Sequence, residues 1–429
     1  MVDSGLTTEI CIIGGGAAGL AAAIFAAEQP GHPSVHVLDG AKSFGAKILV
    51  SGGGRCNVTH ASVSADDFFG TRHLVRNVLA SFPVSRTVEW FASLGVELKQ
   101  EETGKLFPVT NKARTVVEAL LRRCRQVGVV LRPDHRVRTL TRTSSSGESE
   151  MDDLPSFVVG HRHGELLAKR VILATGGRSL PRSGSDGAGY DLARRLGHQV
   201  TPISPALVAL TLEGTFFHRL LSGSSQETEL TTMLGGKVSD RRTGNLLWTH
   251  FGVSGPVVMD ASRLWTEAHR EGRQVQVSAN FLPGMNLEQA RDWFLAEAAA
   301  HPKRSLLKTL ACLLPEGLAE AIARRAGCDF QQATAQVPRP AREQLLAWLT
   351  RCRLPVTGDR GWNFAEVTAG GIPLEEIDYR TMESKVVPGL HLVGEILDCD
   401  GRIGGFNFQW AWATGYLAGR AAGVAVGKT

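Results

Sequence analysis

An apolar run at residues 9–13 is followed by three glycines and then an alanine-rich stretch at 17–28. A short apolar run bounded by turn residues reads as a buried strand, and the alanine-rich stretch as a helix. Gln29, Pro30 and Gly31 end that helix, since proline removes a backbone donor and glycine accepts turn conformations. A second apolar run at 35–38 predicts the next strand. Strand, turn, helix, strand is how a doubly wound α/β sheet begins.

Beyond a glycine-dense segment at 45–57, mixed helical patterning runs to about residue 128, with a helix predicted over 114–127. Strand-like runs at 129–131, 136–140, 157–159 and 170–174 predict a small meander returning to the sheet. Between them, the Ser-, Glu- and Asp-rich run 141–153 predicts a mobile surface loop. From about residue 202 to 281, short strand-like pieces alternate with Gly, Ser and Thr turns. Residues 286–353 read as helices broken at Pro302, Pro315, Pro338 and Pro340. Strand and turn signals resume after 364 and end in a strand at 390–393 and a helix at 407–422. The expected organisation is a Rossmann-like domain of residues 1–200 and 356–429. It is interrupted by a β-rich insertion at 201–285 and a small helical part at 286–355.

Composition narrows the class. The 429 residues are 43% hydrophobic and 21% charged, with 48 glycines, which excludes collagen-like, coiled-coil and disordered chains. The longest apolar runs fall far short of the ~18 residues that span a bilayer. Asp3 and Glu9 spoil the basic-then-apolar layout of a secretion signal, so a cytoplasmic protein is expected, without a membrane partner. The net charge of +5 permits an RNA partner without arguing for one. Seven cysteines without a C-x-x-C pair fit a reducing compartment, and no metal site is expected.

The first chemical signal is Gly14-Gly15-Gly16-Ala17-Ala18-Gly19, a G-x-G-x-x-G between strand and helix. Glycines there let the backbone approach a pyrophosphate, whose charge sits at the helix N-terminus. Asp39 ends the second strand, where an acid can hold a ribose hydroxyl pair. Two later turns, Ala174-Thr175-Gly176-Gly177 and Gly394-Glu395, each follow a predicted strand. FAD enzymes of this architecture use such turns to return the chain to the cofactor.

Four further segments carry a resemblance. They are Lys47-Ile48-Leu49-Val50-Ser51-Gly52-Gly53-Gly54-Arg55-Cys56-Asn57, Leu247-Trp248-Thr249-His250-Phe251-Gly252-Val253-Ser254-Gly255-Pro256, Thr368-Ala369-Gly370-Gly371, and the run from Gly394 through Asp400 and Gly404-Gly405-Phe406-Asn407-Phe408-Gln409. Together they resemble the BaiN/RdsA (YhiN-like) family of bacterial NAD(P)/FAD-dependent oxidoreductases, related to aminoacetone oxidase-like flavoproteins, over nearly the whole chain. The resemblance implies a glutathione-reductase-like, two-dinucleotide-binding FAD fold with an inserted substrate domain. It implies FAD as cofactor and NADH or NADPH as electron donor. Gly14, Gly16, Ala17, Ala18 and Gly19 would then lie at the pyrophosphate and Asp39 at the adenosine ribose, with Val137 near the adenine. Lys47, Ser51, Gly52, Gly53, Arg55, Cys56 and Asn57 would line the flavin side, with Ala174, Thr175 and Gly176 passing close by. Gly394, Glu395, Asp400, Gly404, Gly405, Phe406 and Asn407 would complete the site, a helix N-terminus facing the flavin carbonyl edge.

Other readings stand beside these. Arg55 serves equally as a surface arginine in a salt bridge, and Cys56 and Cys399 as packing residues. His250 is the one candidate for proton chemistry, against a structural hydrogen-bonding role. The implied reaction is reduction of a conjugated C=C bond, in an enone-type small molecule or in a uracil of structured ribosomal RNA. The alternative is an amine oxidase using oxygen, and a flavin-binding scaffold without turnover is a third reading. An RNA partner calls for a basic face with exposed aromatics. Arg241, Arg242, Lys303, Arg304, Arg324, Arg325, Arg339, Arg342, Arg351 and Arg353 are the residues available to build it.

Overall fold

The structure is a computed structural model that describes residues 6–143 and 157–427. The chain divides into two units, Met1–Ile203 with Val367–Thr429, and Ser204–Glu366. Most of the polar run expected to form a loop at 141–153 lies outside the described residues; residues 141 and 142 finish a strand.

The first unit is built on a nine-stranded sheet. Its strands are β1 (Leu6–Ile13), β2 (Val35–Leu38), β3 (Val130–Arg132), β4 (Val137–Arg142), β5 (Phe157–His161), β6 (Gly164–Leu173), β7 (Ile377–Asp378), β8 (Glu383–Ser384) and β9 (Leu390–Leu392). The order is β7-β8-β9-β6-β1-β2-β3, with β5 on the first half of β6 and β4 beyond it. β3, β2, β1, β6 and β9 run parallel. Parallel strands are covered on both faces, which is why these read as unbroken apolar runs. Ile10, Ile12, Val37, Leu390 and Leu392 are fully buried. The chain winds from β1 outward to β2 on one side and to β6 on the other, so a crevice opens at the carboxyl end of β1.

Two helices pack on this centre, α1 (Ala17–Ala27) after β1 and α3 (Phe406–Val426) at the end of the chain. A third, α2 (Ala46–Gly54), fills the glycine-dense segment and is broken at Ser51, Gly52 and Gly53. Gly415, Gly419 and Gly423, four residues apart, face Ala18, Ala22 and Ala26. A Cβ on Gly415 or Gly423 would stand 2.7 Å from the carbonyl oxygen of Ala18 or Ala26, and one on Gly419 would overlap that of Ala22. Backbone therefore lies on backbone. Both series ascend together, so α1 and α3 are parallel. Phe25, Phe82, Trp90 and Tyr416 pack beside this contact with ring centroids 4.9–6.0 Å apart.

The second unit holds a seven-stranded antiparallel sheet, in the order Cys352–Leu354, Val275–Asn280, Ser225–Leu234, Lys237–Thr249, Gly252–Ser254, Leu210–Leu212, Val356–Asp359. The stretch read as β-rich also contains the helix Pro256–Arg270. Its buried Val257, Ala261, Trp265 and Ala268 recur at helical spacing. Helices Leu287–Ala300, Leu306–Leu310, Glu316–Arg325 and Arg339–Arg351 follow, between the prolines expected to separate them.

Among the described residues no helix is long and apolar enough to cross a membrane, and no cluster of side chains could hold a metal ion. The cysteines are free, and all but Cys312 are buried.

Two outcomes follow from this packing. Gly419→Leu should lower the urea unfolding midpoint, at a cost of about 1–3 kcal/mol or more, because the added side chain meets backbone that cannot move aside. Burial lowers the pKa of both His36 and His391 to about 4. The fold keeps them neutral while the unfolded chain binds protons below about pH 6.5, so stability is held above that value and lost as pH falls toward 4. His391→Gln should lose less stability over that interval, by on the order of 2 kcal/mol, in urea melts run across it.

Candidate cofactor site

β1 delivers Gly14 into the crevice with φ +108°, and a Cβ there would overlap the carbonyl oxygen of Ala174 at the end of β6. A Cβ on Gly19 would overlap the oxygen of Gly14. These two glycines let strand and helix close on each other. Gly16, the N-cap of α1, differs: its φ is −84°, and an added Cβ would meet nothing within 4 Å. Ala17 and Ala18 form the first helical turn behind it. The Gly15 N–H donates to Asp39 Oδ2 at 2.6 Å, and the Ala41 N–H donates to Oδ1 at 2.7 Å. Each carboxylate oxygen keeps a second lone pair for a hydroxyl. Burial raises the Asp39 carboxyl above its ordinary range, against the pull of these N–H groups and Arg136.

Three buried oxygens near these turns have no hydrogen-bond partner, Thr175 Oγ1, Ser185 Oγ and Asn57 Oδ1. A Cβ on Gly176 would come within 2.9 Å of Ser185 Oγ, and one on Gly405 within 2.9 Å of Asn57 Oδ1. A buried polar atom left unpaired costs about 1–3 kcal/mol, so such atoms mark a place built for a polar ligand. Gly405 caps α3 with φ +98°, and the N–H groups of Phe406, Asn407 and Phe408 begin that helix without partners of their own in it. Open glycine backbone, unpaired oxygens and two helix N-termini fit a dinucleotide.

Lys47 and Glu395 form a half-buried ion pair. Lys47 Nζ also donates to Ser179 Oγ at 2.6 Å, and Ser179 Oγ donates to Glu395 Oε1 at 2.7 Å. The Thr368 N–H reaches the same Oε1 at 2.9 Å, while Thr368 Oγ1 accepts from the N–H groups of Arg178 and Ser179. Glu395 thus ties together three distant segments. Gly394 is held by Thr414 Oγ1 and by Trp410 Nε1, on its N–H and carbonyl respectively.

Several candidate side chains are engaged within the protein. Arg55 bonds Glu101 at 2.6 Å and lies 4.0 Å from the Phe107 ring centroid, the salt-bridged arrangement held open for it. Gly52 and Gly53 are left-handed, with φ +56° and +68°, and Ser51 Oγ donates to the Ile48 carbonyl. Burial pushes the Cys56 thiol up to about 12, so it stays protonated and packs. Asn407 closes its amide onto the Gly401 backbone in both directions, at 2.8 and 2.9 Å. The Phe406 ring stacks on His60 at 4.8 Å, beside Gly404. Asp400 is a buried strand residue opposite Phe69, and Val137 opens β4 opposite His161.

All of these residues belong to the first unit. His250 belongs to the second, exposed on the turn between Lys237–Thr249 and Gly252–Ser254, with its backbone hydrogen-bonded by the buried His218 ring. Ser179, Ser185 and Trp410 are the site residues that motif spacing does not single out. Ser179 follows a double glycine, the only local hint of its place.

Residues 8–421 match the HI0933-like protein Rossmann domain family. The chain is 36% identical over 416 residues to a 3-dehydro-bile acid delta(4,6)-reductase of Clostridium scindens, covering 96% of this chain and 98% of that protein. It is 33% identical over 412 residues to a ribosomal RNA dihydrouridine synthase of Escherichia coli, covering 95% and 96%. Among solved structures, the quinol fumarate reductase flavoprotein FrdA of Escherichia coli shares the fold with a TM-score of 0.51 at 16% identity, over 98% of this chain and 70% of that one. The 3-ketosteroid delta1-dehydrogenase of Sterolibacterium denitrificans does so with a TM-score of 0.50 at 12% identity, over 98% and 100%. With the family matched over nearly its whole length, the chain belongs to the HI0933-like Rossmann family and is an FAD-binding oxidoreductase.

Proposed function

We propose that the protein reduces a conjugated C=C bond, with NADH or NADPH as electron donor. The observation that carries this reading is the register of α1 and α3. Gly415 lies against Ala18, so α3 begins eight residues ahead of the level at which α1 begins. At about 1.5 Å per residue, the two N-termini point the same way, offset by about 12 Å along the axis. One would take the pyrophosphate, the other the flavin carbonyl edge, with the ribityl chain spanning the offset. When bound, FAD supplies hydride transfer to an activated double bond.

The chain's own residues prepare that chemistry. Gly16 leaves room for phosphate, Asp39 accepts from the ribose hydroxyls, and Thr175, Ser185 and Asn57 offer the unpaired oxygens. The positive end of α3 at the N–H groups of Phe406, Asn407 and Phe408 favours negative charge on the flavin carbonyl edge. The Lys47–Glu395–Ser179 network orients the surrounding turns. His250 is the candidate proton donor for the carbon opposite the hydride. The names of the two relatives support the reading, since a delta(4,6)-reductase and a dihydrouridine synthase both saturate a ring double bond next to a carbonyl.

Gly16→Val tests the pyrophosphate assignment cleanly, because the added side chain clashes with nothing in the protein. The variant should fold with an unchanged melting temperature and carry little FAD; full occupancy would sink the assignment. For the reaction, the holoprotein is mixed anaerobically with NADH, then NADPH, then a steroid enone or a uridine-containing RNA. One nucleotide should bleach the flavin and one acceptor should restore its colour. A flavin indifferent to both nucleotides, yet bleached by a primary amine, would replace the reductase reading with an amine oxidase. His250→Ala should slow the acceptor step by about 10²-fold with flavin content unchanged; unchanged turnover leaves His250 only its structural role.

A further inference from the structure

We infer that the second unit carries a nucleotide-binding site built on Arg360, Phe251 and Phe364. The Arg360 guanidinium lies 4.2 Å from the Phe251 ring centroid and 3.9 Å from that of Phe364. Each of the three is fixed by a short backbone bond within the unit. The Arg360 N–H donates to Ala209 O at 3.1 Å, the Phe364 N–H to Gly361 O at 3.0 Å, and the Leu212 N–H to Phe251 O at 3.0 Å. The nearby Asp359 carboxylate is turned to the Gly361 N–H at 2.6 Å. Among the described residues no carboxylate pairs with Arg360, which sets it apart from its neighbours in the unit. Arg242, Arg263, Arg291, Arg304 and Arg324 each hold a carboxylate within 2.9 Å.

A guanidinium lying against aromatic rings is held in place while its N–H donors at the edge stay available for a phosphate. Phe364 is 54% exposed, a large apolar surface to leave in water, and its ring can stack a planar base. His250, exposed and next to Phe251, adds a hydrogen-bonding group on the same turn. Fixed cation, exposed ring and imidazole together match a phosphate joined to an aromatic base. A neutral steroid would leave the cation without a partner. The inference rests on the reductase reading, which calls for a nicotinamide nucleotide as donor and allows a ribonucleotide as acceptor. The shared chemistry is the nucleotide; its source is a free dinucleotide or a single RNA strand.

The test is equilibrium binding to the FAD-loaded full chain of three probes: NADH or NADPH, a labelled single-stranded oligouridylate, and a neutral steroid enone. Arg360→Met and Phe364→Ala should each weaken a nucleotide probe by about tenfold or more, and Arg360→Lys should recover part of the loss. Weakening confined to NADH or NADPH identifies the dinucleotide as the source, and weakening confined to the oligouridylate identifies RNA; both support the site. Nucleotide binding unchanged in Arg360→Met and Phe364→Ala overturns it, as does a loss seen only with the steroid. Should Arg360→Met misfold, Phe364→Ala alters an exposed side chain and carries the same reading. Flavin content and enone-driven reoxidation of dithionite-reduced protein, measured in the same variants, report on the reductase reading separately.

Discussion

The cofactor site depends on how closely the first and last helices approach. Side chains ordinarily hold helix axes about 8–10 Å apart, and Gly415, Gly419 and Gly423 remove the side chains on one partner. The glycines recur every four residues against Ala18, Ala22 and Ala26, so the contact fixes register as well as distance. A slip of one turn would shift the start of α3 by about 5.4 Å along α1 and press glycine-facing carbonyls onto bulkier residues. The helix then transmits that register outward. Trp410 Nε1 holds the Gly394 carbonyl at 3.2 Å, Trp412 Nε1 holds Val58 O at 2.9 Å, and Gly405 abuts Thr59. Segments from three parts of the chain are positioned by one helix face.

The electrostatic character of the crevice comes from backbone more than from side chains. The charged candidates are already engaged: Lys47 with Glu395, Arg55 with Glu101, and Asp39 with two N–H groups. Positive potential comes instead from the N-termini of α1 and α3, whose donors are fixed before any ligand arrives. Such donors need no reorganisation as charge develops, which is what an enzyme acting on a flavin requires. Cys56 fits the same picture, because a thiol held near 12 contributes packing and no charge.

How much could be read in the sequence follows from the range of each interaction. The glycine turn, Asp39 and the start of α3 are visible because strand, turn and helix signals lie within a few residues of one another. The strand at 35–38 is read to the residue, since an apolar run flanked by Pro33 and Gly40 leaves no other choice. Partners distant in sequence are invisible to such reasoning. Glu395 meets a lysine 348 positions away and a serine 216 away. Arg55 meets a glutamate 46 positions on. The helix Pro256–Arg270 was hidden for another reason. It sits among strands, and its buried stripe includes polar Asp260, Ser262 and Thr266, which blur the helical period.

The basic residues of the second unit show why charge in a sequence is a poor guide to a binding surface. Arg241, Arg242, Arg304 and Arg324 pair with Glu229, Asp240, Glu297 and Glu320. Arg325 lies against Trp348, and Arg342 has a buried Nε. An arginine held by a carboxylate contributes little field beyond a Debye length of about 8–10 Å. One held by aromatic rings keeps its full charge, because a ring quadrupole orients a cation without neutralising it. The residue that matters for an anionic partner is therefore the one whose neighbours are aromatic. In this unit that residue is Arg360, absent from the runs of basic residues that draw the eye in the sequence.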